Sequence, residues 1–137
     1  MTDSANLDLV RSIYAAIERG DFGSSAWADP DIERVVVDGP EPGTFTGLAG
    51  LAEGMRTVFR DMEDVRAEAE ECCELDAERV LVLTYGVGRG KRSGVPVDAR
   101  GAEVFELHDG KVIRIVVYND RDRAFADLGL AAEHRSR

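Results

Sequence analysis

Two aspartates stand where a carboxylate could act as an acid or a base. Asp38 closes the apolar run Ile32 to Val37, and Asp120 follows the more apolar run Val112 to Tyr118. A carboxylate set against apolar surface is poorly solvated as an anion, which suits it to taking a proton from carbon next to a carbonyl. Each residue also has a plainer role open to it. Asp38 precedes Gly39-Pro40, where an aspartate commonly starts a turn. Asp120 precedes the helical segment Asp122 to Leu128, which it would cap.

Other chemistry is thinner. Cys72 and Cys73 are adjacent, and neighbouring cysteines rarely bridge; no further cysteine exists for a disulfide framework. His108 and His134 have no ligand-like spacing to each other or to the cysteines, so neither a metal nor a cofactor is expected. His108 lies in the turn signal His108-Asp109-Gly110 and reads as solvated. Arg89, Lys91 and Arg92 crowd one turn and could grip an anion, although cations at a hairpin tip are more commonly solvated. There is no Ser-His-Asp set, phosphate-cradling loop or GxGxxG pattern.

These side chains need elements to position them. Leu7, Val10, Ile13, Tyr14 and Ile17 recur at helical spacing, with Asp3 or Ser4 as a cap and Gly20 as a stop. A short helical turn is expected over Ser24 to Ala28, broken by Asp29-Pro30-Asp31. Ile32 to Val37 is β-branched and reads as a strand; a turn and short strand follow at Glu41 to Gly47. Leu51, Met55, Val58, Phe59 and Met62 return to helical period over Leu48 to Met62. From Val65 onward the pattern is mostly sheet: Val65 to Glu70, Val80 to Val87, Val95 to Leu107 and Val112 to Tyr118. A final helix ends at Gly129, and Glu133 to Arg137 reads as a frayed tail. Helices first and a strand meander later define an α+β domain, its helices covering one face of a curved, mostly antiparallel sheet.

The whole chain of 137 residues reads as a single domain with a core over about 4–130. Its 27 acidic residues against 17 basic ones give a net charge of −10, which repels phosphate backbones and anionic lipid. Nucleic acid and membrane surfaces are therefore poor partners. Neither a signal peptide nor an apolar run of membrane-spanning length is visible, which makes the cytoplasm the expected location.

The order of elements and several strings resemble the SnoaL-like, nuclear transport factor 2-like superfamily. The matching strings are Val10 to Asp21, Asp29-Pro30-Asp31, Gly47 opening a helix, Gly101 to Tyr118 and Asp120 to Leu130. The resemblance implies a cone-shaped α+β barrel with an internal pocket, and a homodimer formed through the sheet. It implies a small hydrophobic molecule as ligand, with Tyr14, Trp27, Phe59, Arg100, Ala102, Val104 and Tyr118 as candidate pocket residues.

The resemblance also sets three reactions beside the chain. Asp38 is placed like the general base of ketosteroid isomerases. The oxyanion donors of that reaction fall on Ile13, with Tyr14 one residue late and turned by about 100°, and on Ala102. Limonene epoxide hydrolases use Arg-x-Asp where this chain has Arg100-Gly101-Ala102, with Asp120 as the last-strand acid. Cyclases of the SnoaL type use a last-strand aspartate, matched by Asp120, with a histidine; His108 falls in a turn instead. The reading that follows is ligand binding of unassigned activity. The alternative is an isomerase, polyketide cyclase-like or epoxide hydrolase-like enzyme using Asp38 or Asp120.

Overall fold

The computed structural model describes residues 5–19, 26–39 and 42–130. The expected cap at Asp3 or Ser4, the stop at Gly20, Ser24-Ser25 of the short helical turn and the tail Glu133 to Arg137 lie outside the described residues. Helix α1 (Ala5–Glu18) buries Leu7, Val10, Ile13 and Tyr14 along one stripe and turns Arg11 and Glu18 outward.

Strand β1 (Ala28–Val36) starts earlier than its apolar run suggests and carries Asp29-Pro30-Asp31 within it, so Ala26 to Ala28 is a turn entering a strand rather than helix. Its pairing is irregular between Ala28 and Glu33, and a proline is tolerated where the ladder is interrupted. The short β2 (Gly43–Thr46) leads into α2 (Gly47–Asp61). Then come β3 (Met62–Glu74), β4 (Arg79–Gly90), β5 (Pro96–His108), β6 (Lys111–Tyr118) and α3 (Arg121–Leu128).

The six strands form one open mixed sheet in the order β2-β1-β6-β5-β4-β3. Only β1 and β6 run parallel; the other neighbours are antiparallel. Asp109 and Gly110, both at positive φ, form the tight turn between β5 and β6. Irregular pairing at Glu63/Arg66 and Ala69/Glu71 bends β3, and its outward charges blunt an otherwise free edge.

Both faces of the sheet are covered, which explains why β4 buries Val80, Leu81, Val82 and Leu83 in succession. On one face α1 packs on Val80, Val82, Phe105, Leu107, Val112 and Ile115, with the Tyr14 ring edge-on to Phe105 at 5.9 Å. On the other, Ala124 and Phe125 of α3 pack on Leu81, Leu83, Ala102, Val104 and Tyr118. Arg121 fastens α3 there. Its side chain, 15% exposed, donates to the carbonyls of Gly101 at 3.0 Å and Thr84 at 2.8 Å and pairs with Glu70. Helix α3 thus occupies the apolar centre of the outer face. Among the described residues, no helix is long and apolar enough to cross a membrane.

Candidate functional site

Alternation along β5 decides which side chains face the helices. Phe105 and Leu107 lie in the core beneath α1, so Glu103 projects to that same side. There the hydroxyl of Tyr14 donates a hydrogen bond to Oε1 of Glu103. Burial raises the Tyr14 pKa well above the ordinary tyrosine value, and the charge and hydrogen bond of Glu103 push it the same way. The phenol therefore keeps its proton and serves as a donor. Cys72 lies nearby on β3; partial burial pushes its thiol up, while Arg11 pulls it down by charge and by hydrogen bond.

Beside this pair, two apolar side chains of interior strands are not fully buried. Val36 of β1 and Val117 of β6 are register partners in interior strands, and Val117 packs against the cluster beneath α1. Both are only half-buried. Arg34, two residues back on β1 and therefore on the same face, is paired in register with Ile115 and Phe45. Its guanidinium lies against Gly54 of α2, where a Cβ would sit 3.0 Å from Nη1; glycine leaves room for that head. The Arg34 charge reaches Tyr14 and opposes the upward shift of the phenol.

Two open grooves flank α1. One, of about 450 Å³, runs between α1 and β3 and is lined by Arg11, Tyr14, Ala15, Glu18, Ala69, Glu70, Glu71 and Cys72. The other, of about 540 Å³, continues past Ile17, Glu18 and Arg19 over Val65, Ala67 and Val87. Both linings mix apolar and charged side chains.

The structure scatters the acids singled out by sequence. Asp38 is half-buried, and its carboxylate accepts from the backbone N–H of Asn119 at 2.6 Å and of Asp120 at 3.2 Å. Its charge reaches Tyr118 rather than Tyr14. Asp120 is exposed and caps α3, accepting from the N–H of Asp122 at 2.9 Å. His108 is exposed in its turn beside Asp109. Among the described residues no three His, Cys, Asp or Glu side chains are grouped to hold a metal.

The candidate wall residues divide between the two faces. Tyr14 and the half-buried Trp27 belong with the core under α1, and Phe59 is half-buried on α2. Ala102, Val104 and Tyr118 are buried on the opposite face beneath α3, where the Tyr118 hydroxyl donates to Asp127 at 3.1 Å. Arg100 is exposed, stacked 4.6 Å over the Tyr85 ring. These four do not share the helix-side face with Tyr14. Because α3 covers the outer face, β5 is apolar on both sides, and hydrophobicity alone does not reveal its inward set. The phenol and carboxyl sought by the isomerase comparison at positions 13 and 102 are present one residue later on each element, as Tyr14 and Glu103. Glu103 and Arg34 were absent from the sequence candidates, although alternation counted from Phe105 and from Ile32 would have placed both inward.

The profile of the SnoaL-like domain family matches residues 10–115. The uncharacterized protein Rv0034 of Mycobacterium tuberculosis is 34% identical over 122 residues, spanning 84% of this chain and 88% of that protein. An NTF2-like protein of unknown function from Burkholderia pseudomallei superposes with a TM-score of 0.74 at 22% identity, covering 90% of this chain and 97% of that one. TerC, co-crystallised with polyporic acid, superposes with a TM-score of 0.72 at 26% identity, covering 91% and 98%. The chain is thus a member of the SnoaL-like domain family, with the nuclear transport factor 2-like and ketosteroid isomerase-like fold.

Proposed function

We propose that this chain binds a small, largely apolar molecule on the helix-side face of its sheet, where the Tyr14–Glu103 pair meets a polar atom of the ligand. One observation carries this reading: Val36 and Val117, side by side in interior strands, remain half-buried next to a part-buried polar pair. Interior strand positions facing a helix layer are normally packed to near-crystalline density. Apolar surface left open beside a few fixed polar groups is the usual make-up of a small-molecule site. TerC, co-crystallised with polyporic acid, supports the capacity of this fold to hold an organic molecule.

Acid–base catalysis by Asp38 or Asp120 is the less supported reading. Both carboxylates are engaged by backbone N–H groups at the junction of β6 and α3. Neither is placed with Tyr14.

The test is a fluorescence titration with N-phenyl-1-naphthylamine, a neutral apolar probe. Wild type is expected to bind it saturably, and Val117→Phe, which enlarges one of these two side chains, to weaken it at least about tenfold while still unfolding cooperatively. Absence of saturable binding to wild type, or equal binding by Val117→Phe, contradicts the proposal.

A further inference from the structure

Among the described residues, no carboxylate is placed within salt-bridge range of Arg34. This arginine is half-buried on the helix-side face of β1, and no hydrogen bond or ion pair holds its head among the described residues. The other half-buried arginines among the described residues, Arg79 and Arg121, are both paired with carboxylates. The chain has 27 acidic residues to 17 basic ones, and Arg79, Arg114, Arg121 and Arg123 each have a carboxylate within salt-bridge range. The neighbouring Glu33 turns to the other face and pairs with Arg114.

Partial burial of a guanidinium is unfavourable without an anion or acceptors for its five donors. Among the described residues, no side-chain nitrogen or oxygen is both sealed from solvent and unbonded, so the Arg34 head remains open to an incoming group. Glycine at position 54 keeps α2 clear of it. On the same face lie Val36 and Val117, and beyond them the Tyr14 hydroxyl.

From this arrangement we infer that Arg34 anchors an acidic group of the ligand, so the molecule bound here is a small apolar acid. Its carboxylate or comparable anion is held by the guanidinium, and its apolar body lies on Val36 and Val117. This rests on the binding reading above and adds the charge of the ligand. Arginine suits the task because its planar fork holds two oxygens of one anion at once.

The test compares two probes with the same aromatic body: 8-anilinonaphthalene-1-sulfonate, which is anionic, and N-phenyl-1-naphthylamine, which is neutral. Wild type is expected to favour the anionic probe. Arg34→Met is expected to weaken that probe about tenfold or more, the scale of one lost charge-assisted bidentate contact, and to leave the neutral probe within about twofold. Arg34→Lys, which restores the charge without the fork, should recover part of the loss and guards against a folding artefact. If both probes bind wild type and Arg34→Met leaves the anionic one unchanged, the acid inference fails and the apolar site stands. If Arg56→Met, on the exposed side of α2, weakens the anionic probe as much, the anion is held by surface charge and the inference fails. If neither probe binds wild type, the site itself fails and the inference goes with it.

Discussion

Tyr14 and Glu103 are joined across the core by a hydrogen bond whose loss has a readable cost. Tyr14→Phe keeps the ring on Phe105 and removes only the donor, leaving a half-buried carboxylate without its partner. A destabilisation of about 1.5–3 kcal/mol in chemical denaturation is expected, and Glu103→Gln, which retains an acceptor, should cost less. The phenol also sets a pH signature. Its folded pKa is raised, so the folded state binds the proton more tightly than the unfolded chain does. Its contribution is complete below the unfolded value near 10 and declines as pH rises toward the folded one. Wild type should therefore lose stability above about pH 10, and Tyr14→Phe should lose less of it. Tyr85 and Tyr118 are raised as well, so some alkaline decline will remain in the variant. Identical alkaline slopes for the two proteins would contradict the assignment. Tyr14 was legible from helical spacing. Glu103 was not, because a single acidic residue in an apolar strand carries no mark of the face it occupies until its neighbours are placed.

Most elements were legible because one periodicity dominated each. The stripe from Leu7 to Ile17 marks α1, and the Asp109-Gly110 signal fixes the hairpin that puts β5 against β6. The start of β1 was hidden, since Asp-Pro-Asp reads locally as a breaker while the parallel pairing with β6 tolerates an interruption there. The seat of α3 was hidden too. Its apolar face is short, Ala124 and Phe125, and much of its hold comes from Arg121 reaching two strand carbonyls and Glu70. Nothing in the sequence distinguishes that arginine from a solvated one. Arg121→Met should cost about 3 kcal/mol, because two carbonyls and a carboxylate lose their shared partner. Urea denaturation checks this, and a change below about 0.5 kcal/mol, the range of ordinary surface substitutions, would show that α3 is held by packing alone.

At the scale of the whole molecule, the α+β class and the meander of the last four strands followed from the order of elements, while the parallel pairing of β1 with β6 and the division of labour between the two faces did not. One face holds α1, α2, the half-buried Val36 and Val117 and the Tyr14–Glu103 pair; the other is closed by α3 around Phe125. That division separates Val36 and Val117 from their neighbours Val35 and Val116, which point to the other face. Whether a ligand lies over Val36 and Val117 is read by methyl NMR of valine-labelled protein titrated with N-phenyl-1-naphthylamine. The methyl signals of Val36 and Val117 are expected to shift and saturate with the probe while those of Val35 and Val116 stay in place. Shifts confined to Val35 and Val116, or none at either pair, would contradict it.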